Sequence, residues 1–423
     1  MMCFLAGTMT KLDEHRLDNG LVILGERMDH VQSVAFTFRL ACGEAALPAG
    51  CCGAGSVIAD WIFRGAGDRD SRALVSAMDD LGLHRSSSVT AEHLSIGAAL
   101  EASNLPVALD LYADVILRPR LQADQFTPAR ELAVQEVLGL DDDPRQKVGV
   151  LVTEQFYPDP WGRPAMGRLE ELQALTPEQT RDIVQARFNI AETVFAMAGR
   201  YDFDAVCRLL EERFGTVAAG DPSVPSAGGR GPAYRHAPYD GAQVHLGLMT
   251  PICPPGSEDY YEAAAAVAVL AGSMSSRLFT EVREKRGLCY AVGARYHAMK
   301  GRAGVRGYAG TTPAKAQETL DVILAEFARL REGVSEDEVA RAKVGLKSSL
   351  IMQSESTGAR AGGIAGDYHL LGRVRSLEEI KKALERVTAA RVNAFLERQP
   401  FGDFVVATIG PEPVRWAGVG EGH

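Results

Sequence analysis

The chain has 423 residues, of which 24% are charged and 46% hydrophobic, the balance of a folded protein with a core rather than a disordered one. Its 55 acidic against 45 basic residues give a net charge of −10, which argues against nucleic-acid binding by bulk positive charge. No run of about 18 apolar residues argues for a membrane span.

In chain order, Met1 to Thr10 lacks the basic and apolar regions of a secretory signal. Leu17-Asp18-Asn19-Gly20-Leu21-Val22-Ile23-Leu24 predicts a hairpin turning at Asn-Gly. Gly55 to Gly65 reads as a short amphipathic helix closed by Gly65, with Val57, Ile58, Trp61 and Ile62 on its buried side. Ser86 to His93 has the small polar side chains of an exposed strand edge or an ordinary hairpin. His93 to Leu100 reads as a strand, and Asn104 to Gly139 as two helices, the second carrying Glu131 and Glu136. Asp141-Asp142-Asp143 reads as solvated helix-end charge. Thr176-Pro177-Glu178-Gln179 is a capping box with proline at the first helical position.

Ala218 to Pro232 is rich in Gly, Pro and Ser and reads as a linker between domains 1–217 and 233–423. Beyond it, Ser275 to Val292 reads as a charged helix, a stop at Gly287 and a short apolar strand. Gly301 to Gly310 predicts a strand, and Leu320, Ile323, Leu324, Phe327 and Leu330 a helix. A break at Gly333 precedes a capping box at Ser335 and Glu338, and Ser376 to Glu379 predicts another. Leu109-Asp110 and Leu320-Asp321 stand 211 residues apart, each pair following a strand and preceding a second helix. Order and spacing together predict a duplicated chain of α+β class.

Seven scattered cysteines (Cys3, Cys42, Cys51, Cys52, Cys207, Cys253, Cys289) include no Cys-x-x-Cys pair, which favours reduced thiols in a cytoplasm. The nine histidines include no pair at i+3 or i+4, so each is expected at the surface or as a hydrogen-bonded core residue rather than a ligand. Nucleophile-elbow, Walker and dinucleotide motifs are absent.

Ser276-Arg277-Leu278-Phe279, Arg283-Glu284 and Gly287-Leu288-Cys289-Tyr290 resemble the second-domain signature of the pitrilysin/insulinase family of zinc metallopeptidases, in its mitochondrial-processing-peptidase-like branch. The opening hairpin, Phe63-Arg64-Gly65 and the tandem halves fit the same family. The resemblance implies two homologous domains, each a mainly antiparallel sheet packed with helices.

Catalytic members carry H-x-x-E-H in the helix that ends at the position of Phe63-Arg64-Gly65. There the histidines bind zinc and the glutamate is the general base. By this resemblance the three positions are Ser56, Ala59 and Asp60. The third ligand position is Glu136, which is kept, and the helper carboxylate position is Ala129. The resemblance therefore implies a degenerate zinc site, no cofactor bound by this chain, and no hydrolysis by the family's mechanism.

The family's second-domain Arg/Tyr pair falls on Arg283 and Tyr290. Its implied role is to bind the substrate backbone and stabilise the oxyanion, for which guanidinium and phenol donors suit without a change of charge. Two-subunit members keep zinc on one chain and this pair on the other. The expectation is a non-catalytic subunit that works in the cytoplasm with a zinc-bearing homologous partner on unfolded peptide, contributing half of an enclosed chamber. The alternative is a structural or binding protein of the same fold with no part in proteolysis. The long glycine-rich loop of the mitochondrial substrate-recognising subunit is not evident at Ala271 to Ser275, so presequence recognition does not carry over.

Overall fold

A computed structural model describes residues 12–220 and 225–416. Met1 to Thr10, Cys3, His423 and part of the linker lie outside the described residues.

The first half opens with β1 (Leu12–Arg16), β2 (Val22–Arg27) and β3 (Ser33–Leu40), then α1 (Ala54–Trp61). A short pair, β4 (Gly65–Ala66) and β5 (Arg69–Asp70), and α2 (Ser71–Asp80) lead to β6 (His84–Val89) and β7 (Leu94–Glu101). Five helices follow: α3 (Leu105–Leu117), α4 (Ala123–Gly139), α5 (Pro144–Phe156), α6 (Leu169–Ala174) and α7 (Pro177–Arg187). β8 (Val194–Gly199) and α8 (Phe203–Phe214) close the half.

The second half begins with β9 (Tyr234–Pro238), β10 (Val244–Pro251) and α9 (Tyr260–Ala271). A π-helix (Phe279–Glu284) precedes β11 (Cys289–Met299) and β12 (Arg302–Thr311). Then come α10 (Ala316–Arg329), α11 (Glu336–Ser354), α12 (Thr357–Leu371), α13 (Leu377–Arg386) and α14 (Ala389–Arg398), and last β13 (Val405–Gly410).

Local signals explain many boundaries. Gly20 takes φ +98 in the Asn-Gly turn between β1 and β2, a conformation glycine adopts without a Cβ penalty. Thr176 and Gln179 form the reciprocal capping box of α7. Ser335 and Glu338 bond each other's backbone N–H at the start of α11. Asp143 accepts from the Gln146 N–H and caps α5, so the acidic run opens a helix. The helix expected to close at Gly65 stops earlier, at Trp61, because Gly65 (φ +130) already belongs to β4.

The duplication is visible in the sheets. One has the order β1-β2-β8-β3-β7-β6, the other β9-β13-β10-β12-β11 read from its opposite edge. Each has one parallel pair, β2 with β8 and β9 with β13, the remaining pairs being antiparallel. β6 and β11 therefore occupy equivalent edges.

The compact units are not the two contiguous halves. Among the described residues, one comprises 12–134, 165–220 and 353–376; the other comprises 135–164, 225–352 and 377–416. Each half thus lends a helix to the other's sheet. α12 packs on β8, β3 and β2, and α5 packs on β10 and β13, the equivalent strands. Burial drives both exchanges. Ile364 and Ala365 of α12 pack with Val22, Leu24 and Ala196. α5 approaches so closely that a Cβ on Gly247 would lie 3.1 Å from the Val148 carbonyl oxygen. The first unit's core joins Phe36, Phe38, Tyr112, Phe195 and Phe214, and the Tyr112 hydroxyl donates to the Gly97 carbonyl at 2.7 Å.

Candidate functional site

Helix α1 is held at its start by carboxylates. Its first turn begins at Gly53 in the left-handed region (φ +99), and the Gly53 N–H donates to Glu44 Oε2 at 2.9 Å. The Cys52 N–H donates to Glu171 Oε2 at 2.8 Å. Carboxylates thereby satisfy backbone donors at the positive end of α1. On its inner side Val57, Ile58, Trp61 and Ile62 are fully buried, as their spacing predicted. The Trp61 indole N–H donates to the Gln122 carbonyl at 3.0 Å, and its ring packs against Phe126.

Ser56 and Asp60, one helical turn apart, share a face of α1. Each is already engaged. Ser56 Oγ donates to the Ala165 carbonyl at 2.9 Å, and Asp60 accepts a short hydrogen bond from Arg64 Nε. Ala59 is buried and carries no ionisable group. Glu136 is exposed near the end of α4. A catalytic zinc needs three protein ligands and a position for water. The α1 positions supply a hydroxyl committed to a carbonyl and a carboxylate committed to a guanidinium, so they do not fit that ion.

The signature segment of the second unit is differently built. Leu278 and Val282 are buried, and around them the backbone widens into the π-helix, with the Lys285 N–H donating five residues back to Thr280 at 2.9 Å. Glu281 pins this turn, accepting from Lys285 Nζ and Arg286 Nη1 at 2.7 Å each. Lys285, then Arg286, hold its carboxyl down at about 2. The signature's other arginine, Arg277, is structural. It pairs with Glu338 at 2.7 Å and donates to the Arg329 and Gly333 carbonyls, fastening the segment to the α10–α11 turn.

Arg283 and Tyr290 are what this scaffold leaves outside. Arg283 is exposed and stacks on the Phe279 ring at 4.9 Å. Tyr290 is 63% exposed. Among the described residues neither side chain makes a hydrogen bond or ion pair. Tyr290 is also the extra residue of a β-bulge, because Cys289 pairs with Thr311 and Ala291 already with Gly310. A bulge re-aims its side chain, and a π-turn does the same on a helix. Neither irregularity is encoded by sequence spacing alone.

β6 is an edge strand, and His84 to Ser88 are all exposed. Of the histidines, His236, His245 and His297 are hydrogen-bonded to Thr408, Tyr308 and Tyr157. His93 and His369 meet instead, beside Glu92, an encounter that no local spacing announced.

Comparison with known proteins agrees with this architecture. Residues 43–168 match the family described as insulinase (peptidase family M16), and residues 174–346 match the peptidase M16 inactive domain. The chain belongs to the M16 peptidase family. It is 29% identical over 407 residues to an uncharacterized zinc protease of Mycobacterium bovis, covering 93% of this chain and 92% of that protein. It is 26% identical to the uncharacterized zinc protease YmxG of Bacillus subtilis, covering 95% and 98%. Among solved structures, a peptidase M16 inactive domain from Pseudomonas fluorescens superposes with TM-score 0.85 at 17% identity, covering 96% of this chain and 99% of that one. A protease from Helicobacter pylori superposes with TM-score 0.87 at 16% identity, covering 96% and 100%. At these identities the structural likeness defines the fold.

Proposed function

We propose that the chain is the non-catalytic subunit of a heteromeric zinc peptidase, contributing Arg283 and Tyr290 to the wall of a peptide chamber shared with a zinc-bearing homologous subunit. One contrast carries this reading. α1 presents Ser56, Ala59 and Asp60 where hydrolysis needs two imidazoles and a base, while the second unit holds an exposed guanidinium, stacked on Phe279, and an exposed phenol, neither in a hydrogen bond or ion pair among the described residues.

In this mechanism the substrate is an unfolded peptide, and the zinc and the general base reside on the partner. Arg283 and Tyr290 donate hydrogen bonds to the peptide backbone and to the carbonyl oxygen as negative charge develops on it. Fixed donors of this kind act without changing their own charge. The edge strand β6 offers unpaired backbone groups on which an extended peptide can add as another strand. The expected compartment is the cytoplasm; no helix among the described residues is long and apolar enough to cross a membrane.

The test is co-expression with M16 homologues that retain H-x-x-E-H, followed by isolation of the complex and assay of peptide turnover. A complex whose turnover falls on replacement of Arg283 and Tyr290, with assembly intact, supports the reading. A complex indifferent to both replacements supports the structural alternative.

A further inference from the structure

We infer that Glu92, His93 and His369 form a binding site for a divalent transition metal, with zinc the best match, clipping α12 onto the β6–β7 hairpin. The ligand atoms of the three side chains lie within 4.8 Å of one another, and this is the one such trio of His, Cys, Asp or Glu among the described residues. His369 Nε2 stands 3.0 Å from Glu92 Oε2, and the His93 and His369 rings meet edge to face with centroids 4.0 Å apart. Ligands on a tetrahedral zinc, at bonds of about 2.0–2.1 Å, are separated by roughly 3.3 Å. Small rotations of the two rings therefore suffice to gather the trio around one ion.

The donor set selects the ion. Two imidazoles and a carboxylate suit zinc, copper or nickel, whereas calcium and magnesium prefer oxygen alone. His369 and Glu92 side chains are 17% and 16% exposed, which leaves a solvent-facing side for a water as fourth ligand.

The surroundings hold the ligands in place. Thr90 Oγ1 accepts from the backbone N–H groups of Glu92 and His93, at 3.2 and 3.0 Å, fixing the hairpin tip. The tip lies against Gly43, where a Cβ would come within 2.3 Å of the His93 nitrogen. His369 rides on α12, which is anchored by Arg360 on Glu26 and closed by Arg375 on Asp367. One neighbour opposes the ion. Arg39 of β3 interacts electrostatically with Glu92, and its guanidinium donates to the Gly362 carbonyl at 3.3 Å. A second cation beside Glu92 is therefore bound less tightly than in a site without that guanidinium.

The inference is independent of the non-catalytic reading above, because it concerns neither α1 nor Arg283 and Tyr290. Titration of the metal-free full chain with zinc by calorimetry, and with cobalt(II) by visible absorption, tests it. One equivalent is expected to bind, with the absorption of four-coordinate cobalt and a thermal midpoint raised by zinc but not by magnesium. His93→Ala and His369→Ala each lower affinity at least tenfold, and the milder His369→Gln, which keeps a hydrogen bond to Glu92, does the same with the fold intact by circular dichroism. Asp60→Ala leaves binding unchanged. Absence of stoichiometric binding, binding that survives the histidine replacements, or binding that is lost with Asp60→Ala overturns the assignment.

Discussion

The Arg360 guanidinium lies bidentate on the Glu26 carboxylate, although 334 residues separate the two in the chain. Both are buried, on α12 and β2. The pair joins a helix from the second half to a sheet from the first. Removing one partner strands a charge away from water, which typically costs about 3–5 kcal/mol. Glu26→Ala or Arg360→Ala is therefore expected to lower the urea midpoint strongly, with hydrogen exchange rising first in β2, β8 and α12. Replacing both by apolar residues of similar volume is expected to cost much less. An Arg360→Ala chain as stable as the parent would contradict this role.

The second unit should weaken in acid. Lys285 first, with Arg286 and Arg329, holds the Glu281 carboxyl at about 2, and Arg277 does the same for Glu338, also about 2. Unfolded glutamates titrate near about 4.3. Depressed carboxyls contribute stability that is fully present above the unfolded value and lost as pH falls from about 4.3 towards about 2. Glu326, pushed upward by burial, acts in the opposite sense. Glu281→Gln and Glu338→Gln are expected to flatten the acid limb of a thermal-midpoint profile and to lower the midpoint at neutral pH. An acid limb unchanged in both variants would refute the assignment.

Arg283 and Tyr290 should be dispensable for folding. Both are exposed, and a surface substitution usually changes stability by about 0.5 kcal/mol or less. Arg283→Ala and Tyr290→Phe are thus expected to leave the thermal midpoint nearly constant. On the proposed reading these residues are oxyanion donors in a complex with a zinc-bearing partner, where loss of such a donor typically costs about 10²–10³ in turnover. The expected pattern is kcat falling more than KM rises, since the donors act chiefly on charge that develops during reaction.

What could be read from the sequence follows the range of the interaction. The Asn19-Gly20 turn and the capping boxes at Thr176 and Ser335 are set by residues within a few positions, so their patterns carried over directly. The buried face of α1 followed from 3.6-residue spacing. The exchange of α5 and α12 depends on packing between residues hundreds of positions apart, and a linear scan for a linker assigns each half its own helices. The same limit hid the meeting of His93 with His369. The bulge at Tyr290 arises from register with β12, which local spacing does not carry.

The most direct measurement is turnover of an unfolded peptide by this chain alone, with zinc supplied, beside its complex with an H-x-x-E-H homologue carrying wild-type or Arg283→Ala/Tyr290→Phe chain. The proposed division of roles predicts no chelator-sensitive turnover by the chain alone, turnover in the wild-type complex, and a loss of about 10²-fold or more in the variant complex. Zinc-dependent hydrolysis by the isolated chain, or a variant complex as active as the wild type, would contradict it.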